Sequence, residues 1–350
     1  MNLTPFCLVH RPIRAAASGA RAAATWIPVL LGLSACESMP PTVFDRPERP
    51  AELLVLRTYE GSGQVVHPDV LHTEDPRWPF WLAITPYPDA YEKWENPCVY
   101  RSRDGIAWEE PAPLVNPVAP RPRFDHHCDP DWLREDHLFR LFWLDTQRRE
   151  YRPDNRNFED LKVVESPDGV TWGEPRTVIR WELDRDPFYV SPAVVRAGDG
   201  SHRVYVVQPR SATIPWMPID PDAPDASDRP APPPGGLLEY GLEGVRPWHV
   251  DVFSAPGGWV ALLCARPPDA TGPDDTDLWI GGSRDLDHWQ FSAEPVLVGG
   301  DPDLGVEIVY RSSGLIENDR LVIWYSGRTA AGEWRLGVAT QPASTVPFPD

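Results

Sequence analysis

The chain repeats one arrangement of polar and hydrophobic positions about every 61 residues. Each repeat opens with a polar residue, often followed by proline, and continues as a short run rich in β-branched and aromatic residues. The openings are His67, Asp129, Ser191, His249 and Arg311, at spacings of 62, 62, 58 and 62 residues. A second run of this kind follows each opening, at residues 80–85, 139–145, 203–208, 259–265 and 321–326. Such runs predict strands that are covered on both faces.

A third element recurs as the pattern Ser-x-Asp-Gly-x-x-Trp at residues 102–108 and 166–172. A variant with leucine in place of glycine occupies residues 283–289. The aspartate can accept hydrogen bonds from backbone amides, and the glycine permits a positive φ. The motif therefore predicts a structural turn whose tryptophan packs between neighbouring sheets.

Five such units predict an all-β chain folded as a five-bladed β-propeller over residues 52–345. The strand-like residues 52–57 precede the first unit and could complete the last blade, which ends near residue 340. Two stacked β-domains are the alternative, and the constant period disfavours it. Residues 209–236 contain nine prolines and are predicted to be an insertion in blade 3 without regular strand or helix. This insertion could line the substrate cleft through Trp216 and Met217, or could be a mobile loop.

The first 35 residues contain three arginines, no acid and an apolar run over 23–33, which together predict an export signal. Its end, Leu33-Ser34-Ala35-Cys36, resembles the lipobox of bacterial lipoproteins. That resemblance implies that Cys36 becomes the first mature residue and carries lipid, with a proline-rich tether over 36–51. Glu37 in the second mature position then implies retention in the outer membrane, facing the periplasm or the cell surface. An ordinary secretory signal with a chance cysteine is the alternative.

The chain carries 33 basic and 52 acidic residues, a net charge of −19, and loss of the three signal arginines makes it −22. This charge argues against binding to nucleic acid, or to a membrane other than through the lipid. The mature chain would keep four cysteines, of which Cys36 would carry the lipid. The other three are Cys98, Cys128 and Cys264, and three thiols can form at most one disulfide. No CxxC pair is present, which argues against a structural zinc site.

Residues 52–340 resemble the five-bladed β-propeller glycoside hydrolases, which include arabinanases, β-xylosidases, levansucrases and invertases. The openings of the inner strands and the Ser-x-Asp-Gly-x-x-Trp turns carry the resemblance. It implies a carbohydrate substrate and three carboxylates at the axis: an aspartate on each of the first two inner strands and a glutamate on the third. This chain departs from the pattern, because it has His67, Asp129 and Ser191 at these places.

The first and third residues of each repeat should both face the axis, because alternate residues of a strand point the same way. The first positions are His67, Asp129, Ser191, His249 and Arg311, and the third positions are Asp69, Asp131, Ala193, Asp251 and Ser313. Ionisable side chains are rare in a core unless they are paired, so this convergence predicts a functional site. A water-filled polar channel without catalytic function is the alternative.

Carboxylates that share a confined site can supply the acid and the base for glycoside cleavage. We predict catalytic roles for Asp69, Asp129 and Asp251, with Glu95 as the missing acid and Glu307 as its competitor. The predicted substrate contacts are His67, Asp131, His249, Arg311, Trp94 and Glu307. Tyr87, Tyr91 and Trp94 would form an aromatic loop for sugar stacking before Glu95.

The predicted function is acid/base hydrolysis of a polysaccharide or oligosaccharide at the channel mouth by a monomeric protein. A glycan-binding or scaffolding propeller without catalysis is the alternative, which Ser191 favours. No cofactor and no catalytic metal are predicted, because the adjacent His126 and His127 would point to opposite faces of a strand. A structural Ca²⁺ near His249 and Asp251 is compatible with the sequence.

Overall fold

The computed structural model describes residues 42–43, 51–272 and 275–349. The predicted signal peptide, the predicted lipidation site Cys36 and most of the predicted tether lie outside these residues.

In the described part of the chain, twenty strands form five four-stranded antiparallel sheets. Blade 1 contains β2 (Val65–His72), β3 (Phe80–Pro86), β4 (Cys98–Ser102) and β5 (Trp108–Glu109), and blade 2 contains β6 (His126–Glu135), β7 (Leu138–Gln147), β8 (Phe158–Ser166) and β9 (Arg176–Glu182). Blade 3 contains β10 (Val190–Arg196), β11 (His202–Val207), β12 (Pro215–Ile219) and β13 (Gly236–Leu237), and blade 4 contains β14 (Arg246–Ala255), β15 (Gly258–Arg266), β16 (Asp277–Ser283) and β17 (Trp289–Phe291). Blade 5 contains β18 (Ile308–Glu317), β19 (Arg320–Arg328), β20 (Trp334–Pro342) and, as its outermost strand, β1 (Glu52–Leu54).

The ring is closed by the N-terminal strand. β1 pairs antiparallel with β20, with Leu53 opposite Gly337. The first strand of each blade contacts the first strand of the next, and β18 of blade 5 contacts β2 of blade 1. The predicted all-β, five-bladed propeller is therefore confirmed, including completion of the last blade by the strand β1 that precedes the first repeat.

Each innermost strand contains a break in register at or beside the repeat opening. In β2 the pairing with β3 shifts between Val66 and Asp69, and the inner strands of blades 2 and 3 shift at equivalent places. β14 shifts between Pro247 and His249, and β18 shifts between Val309 and Ser312. The opening residues of blades 1–3 adopt left-handed backbone conformations, with φ of 56° at His67, 52° at Asp129 and 56° at Ser191. Such values are rare for residues with a Cβ, and each of these three residues also precedes a proline. Backbone strain of this kind is typical of functional sites.

The core lies between adjacent blades, and the predicted turns help to form it. Asp104 Oδ1 accepts hydrogen bonds from the amides of Ile106 and Ala107 at 2.9 and 2.8 Å. The tip of this turn reaches blade 5, where Trp324 donates its indole N–H to Gly105 O at 2.9 Å. The turn thus joins two blades, and its Trp108 packs against a core cluster with residues of blades 1 and 5, as the motif predicted.

Residues 209–236 contain regular structure, so the prediction of an insertion without strands was wrong. β12 and β13 form in this segment, and Trp216 in β12 pairs with Tyr205 in β11. Prolines are tolerated here because Pro215 is the first residue of β12, and β13 pairs only with Pro215 and Trp216. Pro218 therefore has an unpaired edge beside it.

The described cysteines Cys98, Cys128 and Cys264 are buried free thiols. Within the described residues, the helices are three-residue 3₁₀ turns, and none is long and apolar enough to cross a membrane.

Candidate functional site at the propeller axis

The innermost strands bring acidic and imidazole side chains together at two levels of the axis. The upper cluster consists of His67, Asp129 and His249, which are first residues of their repeats. The lower cluster consists of Asp69, Asp131 and Asp251, two positions further along the same strands. In each cluster one ligand-type atom per residue lies within 4.8 Å of the others, and all six residues are buried.

Asp129 Oδ1 is the centre of the upper cluster. It lies 3.5 Å from His67 Nε2, 3.4 Å from His249 Nδ1 and 3.2 Å from Arg311 Nη1. The amide of Ser191 donates to the other oxygen, Oδ2, at 3.2 Å. Burial alone would raise the pKa of Asp129, but the neighbouring His67, His249 and Arg311 hold the pKa below its ordinary value. Asp129 is therefore a carboxylate at neutral pH.

The far side of the His67 ring is held by blade 1. His67 Nδ1 lies 3.1 Å from Thr85 Oγ1 and 3.2 Å from Glu95 Oε2, and Thr85 donates to the same glutamate oxygen at 3.2 Å. These contacts fix the orientation of the ring and direct Nε2 toward Asp129. Glu95 is buried, and it follows the 3₁₀ turn Glu92–Trp94.

Several imidazole nitrogens in the upper cluster have no hydrogen-bond partner among the described residues. They are Nε2 of His67 and both ring nitrogens of His249. Burial lowers the pKa of His249 well below its ordinary value, aided by the charges of His67 and Arg311. His249 is consequently neutral at pH 7 and has a lone pair available to a ligand.

Aromatic side chains surround the upper cluster on the sides of blades 4 and 5. The ring centroid of Tyr310 lies 4.4 Å from that of His249 and 5.6 Å from that of His67. The indole of Trp248 donates to Tyr310 Oη at 2.9 Å, and Trp334 packs against Tyr310 at 5.1 Å. Burial raises the pKa of Tyr310 well above its ordinary value, so its hydroxyl keeps its proton.

In the lower cluster two carboxylates are anchored by backbone and hydroxyl groups. Asp69 accepts from the amide of Trp132 and, at 2.8 Å, from the hydroxyl of Ser313. Asp131 Oδ2 accepts from the amide of Val194 at 2.8 Å. Burial and the charge of Asp69 raise the pKa of Asp251 to about 8.

Arg311 links the two levels. Its Nη1 contacts Asp129 in the upper cluster, and its Nη2 lies 3.5 Å from Asp131 Oδ1 in the lower one. Nη2 also donates to Pro192 O at 3.1 Å. The side chain is fully buried, so these contacts are shielded from solvent.

The lower cluster opens into a cavity of about 710 Å³. The later halves of the innermost strands line this cavity, whereas the upper cluster lies near their beginnings. The wall includes Trp132, Phe253 and Arg140 in addition to the three aspartates.

The structure thus brings together eight of the predicted site residues: Asp69, Asp129, Glu95, Asp251, His67, Asp131, His249 and Arg311. Two others lie elsewhere. Trp94 is 43% exposed on the blade 1 rim beside Tyr59, and Glu307 is exposed before β18. In blade 3 the axial positions carry no charge, and Ser191 exchanges hydrogen bonds with the backbone of Val250.

Sequence reasoning missed Thr85, Tyr310 and Glu159, a buried carboxylate close enough to Asp129 to feel its charge. Tyr310 and Trp248 both directly precede a repeat opening, and this aromatic pair is a signal that could have been found. Thr85 and Glu159 lie on second and third strands, whose contacts with the axis depend on register and are not visible in the sequence.

The neighbouring His126 and His127 have separate partners, as their adjacency predicted. His126 Nδ1 lies 3.4 Å from Asp125 Oδ2, and His127 Nε2 lies 3.3 Å from Asp145 Oδ1. Asp125 and His126 also form a group with Glu92 that has metal-ligand spacing. However, Asp125 already contacts Lys93 and Arg148, so its charge is neutralised by the protein itself.

The donor set of the upper cluster fits a divalent transition metal. Two imidazoles and one carboxylate converge, and the imidazole nitrogens that face Asp129 are buried without partners. Neutral imidazole and carboxylate are ligands that such ions prefer. The contact of His67 Nδ1 with Glu95 is the arrangement that orients a metal-binding histidine from behind.

These features define a five-bladed β-propeller with a buried His-Asp-His centre, and similar proteins are known. No family model matches the chain. The A type blood N-acetyl-α-D-galactosamine deacetylase of Flavonifractor plautii is 35% identical over 123 residues, 33% of this chain. The match spans only 15% of that protein's length.

Two solved structures show the same fold. An N-acetylgalactosamine deacetylase from F. plautii, in complex with blood group B trisaccharide, superposes with a TM-score of 0.70 and 20% identity. The superposition covers 84% of this chain and 95% of that one. A thermostable family-43 glycoside hydrolase superposes with a TM-score of 0.54 and 14% identity, covering 80% and 89%.

Proposed function

We propose that this propeller is a carbohydrate-active hydrolase and that its upper cluster removes the N-acetyl group of an amino sugar. The observation that carries the proposal is the set of buried, unpartnered imidazole nitrogens of His67 and His249 around Asp129. The partial sequence match to a sugar deacetylase supports amide hydrolysis as the reaction.

His67, Asp129 and His249 would hold the metal ion in this proposal. When bound, a divalent ion polarises a carbonyl group and lowers the pKa of water. The sequence predicted no catalytic metal, and that expectation remains untested. The proposal departs from it because the three donors come from three different blades, which spacing along the chain does not reveal.

The surrounding residues would orient the reacting groups. Glu95 and Thr85 fix the His67 ring, and Arg311 holds Asp129 as a carboxylate. Tyr310 stays protonated and can donate a hydrogen bond to a substrate oxygen, since its hydroxyl oxygen accepts the hydrogen bond from Trp248. In this reaction a water molecule would add its oxygen to the acetyl carbon and the C–N bond would break. Acetate would leave, and the nitrogen would take a proton from the water and remain on the sugar as a free amine.

Glycoside hydrolysis is the second candidate. Glu95 and Asp129 are buried carboxylates that contact opposite nitrogens of His67, which resembles a paired-acid arrangement. The structure shares its fold with a family-43 glycoside hydrolase. In this case Glu95 would protonate the leaving oxygen, and Asp129 would act as base or orient the substrate.

One set of assays separates the two reactions. The purified protein is incubated with oligosaccharides that end in N-acetylgalactosamine or N-acetylglucosamine, and acetate release is measured with and without a chelator. The same protein is tested on arabinan and xylan for reducing ends. Chelator-sensitive acetate release supports deacetylation, whereas chelator-resistant release of sugars would overturn it in favour of glycoside hydrolysis.

The variant His249→Ala should lose activity, and His288→Ala is its matched control. His288 lies on an exposed outer turn, where it contacts Asp285. Metal content measured by mass spectrometry should fall in His249→Ala and stay unchanged in His288→Ala. Equal metal content in both variants would contradict the proposed ligand set.

Attachment to the bacterial outer membrane through lipid on Cys36 is part of the proposal, together with a monomeric state. The lipobox-like residues 33–36 support it. Labelled palmitate should be incorporated into the wild-type chain and not into Cys36→Ser. Palmitate incorporation into Cys36→Ser would argue against this anchor.

A further inference from the structure

The lower cluster has its own chemistry, which differs from that of the upper one. Asp69, Asp131 and Asp251 each contribute one oxygen to a group in which all oxygens lie within 4.8 Å of one another. Ca²⁺ binds oxygen ligands at about 2.3–2.6 Å, so two oxygens on opposite sides of one ion are about 4.6–5.2 Å apart. The spacing of the three carboxylates fits such an ion.

Asp251 supplies an independent indication of a ligand. It is 3% exposed, it lines the cavity of the lower mouth, and its Oδ2 has no hydrogen-bond partner in the described part of the chain. An unpaired buried carboxylate oxygen is costly unless a proton or a cation satisfies it.

The charge balance of the lower cluster also favours a cation. Three carboxylates are close together, and Arg311 is shared between Asp131 and Asp129 of the upper cluster. A single guanidinium therefore leaves excess negative charge at this level when all three carboxylates are ionised. A divalent ion would neutralise it without any rearrangement of Arg311.

The lower cluster is pre-organised and accessible. The amides of Trp132 and Val194 and the hydroxyl of Ser313 hold Asp69 and Asp131 in place. The cavity of about 710 Å³ provides a path from solvent and room for the water molecules that complete a Ca²⁺ shell.

We propose that Asp69, Asp131 and Asp251 form a calcium site at the lower mouth of the channel, separate from the upper cluster. The all-oxygen donor set selects a hard cation, in contrast to the imidazole-containing upper cluster. The ion would tie blades 1, 2 and 4 together at the axis.

Calorimetric titration of chelator-treated protein with Ca²⁺ tests the site, with Asp251→Asn as the variant. Affinity should fall at least about tenfold in this variant. Asp222→Asn is the matched control, because Asp222 lines the same cavity but its side chain is 73% exposed and pairs with Arg140. Unchanged Ca²⁺ affinity in Asp251→Asn, or no binding by the wild type, would overturn the proposal.

Terbium luminescence gives a second measurement that does not require a change in the carboxylates. Trp132 directly follows Asp131 and lines the same cavity, so we expect its indole to sensitise Tb³⁺ in the site. Trp132→Phe should lose most of this emission and keep calorimetric Ca²⁺ binding. Emission that survives in Trp132→Phe would place the ion elsewhere.

His249→Ala separates this site from the proposed catalytic centre. Ca²⁺ binding should persist in that variant, even though its transition metal and its activity are lost. Loss of Ca²⁺ binding in His249→Ala, with the fold intact by circular dichroism, would show that the ion belongs to the upper cluster and would refute a separate calcium site. Failure of the deacetylase assays would leave the calcium result unaffected.

Discussion

The upper and lower clusters are built from the same inner strands, yet they have different chemistry. The upper one combines two imidazoles with a carboxylate and is flanked by Tyr310 and Trp248. The lower one has three carboxylates and is anchored by backbone amides. A separation of two residues along a strand therefore places two distinct sites on one axis, and Arg311 couples their charges.

The largest expected effect is a loss of catalytic activity that separates the upper cluster from the lower one, tested by the same substitution in each cluster. Asp129→Asn should lower kcat/KM by at least about a hundredfold, because it removes the charge at the centre of the upper cluster. Asp131→Asn, two residues away, should lower it much less. Kinetics of acetate release measure both variants, and equal losses would mean that the two levels act as one site.

The next effect is a loss of stability on removal of Arg311, which contacts both clusters. Arg311→Met should lower the free energy of unfolding by about 3–5 kcal/mol, because Asp129 and Asp131 lose the cation that both contact. Arg196→Met is the control, since its side chain is 63% exposed and pairs with Glu135. Urea denaturation measures both variants. A loss no larger than that of the control would show that the clusters are neutralised in another way.

We expect the free energy of unfolding to depend on pH through Glu159, a buried residue near the upper cluster. Burial, and then the charge of Asp129, raise the pKa of Glu159 well above its ordinary value, against the hydrogen bond from the Tyr189 amide at 3.3 Å. The folded chain thus keeps this proton at pH values where the unfolded chain has lost it. Stability therefore falls as the pH rises above about 4.5, by up to about 1.4 kcal/mol per pH unit until the folded pKa is reached.

Glu159→Gln should flatten this dependence by about 1–3 kcal/mol between pH 5 and pH 8. Urea denaturation at the two pH values measures it, and Glu174→Gln, at an exposed position, is the control. If the wild type and Glu159→Gln lose stability equally over this range, Glu159 is already ionised in the folded protein.

The fold could be predicted because the features that define each repeat are local sequence patterns. Strand runs, turn motifs and openings such as His67 and Asp129 recur at a constant period, and each depends on neighbouring residues. The alternation rule also placed first and third positions at the axis correctly. It could not show that Asp129 would be the common partner of two histidines, because those contacts join blades that are far apart in sequence.

The parts that were not predicted depend on backbone detail. The left-handed φ at His67, Asp129 and Ser191 belongs to the register breaks, which no residue pattern reveals. Glu95 could be a surface acid or an axial one, and its burial follows from the turn at Glu92–Trp94. The strand β12 was missed because proline is tolerated where few ladder bonds are required.

The smallest expected effect tests which mouth receives the substrate. Trp94 is exposed on the blade 1 rim, next to the buried Glu95, and Tyr59 donates its hydroxyl to Trp94 O at 2.7 Å. If sugars stack there, Trp94→Ala should raise KM about fivefold and leave kcat unchanged, because a stacking contact is worth about 1 kcal/mol.

Arg196→Ala on the wall of the lower cavity is the counterpart at the other mouth. If the substrate reaches the upper cluster from the rim that carries Trp94, KM of this variant should stay at the wild-type value. A rise of KM in Arg196→Ala with none in Trp94→Ala would reverse the assignment: the substrate would enter over the three aspartates, and the carboxylates proposed to hold Ca²⁺ would instead face the sugar.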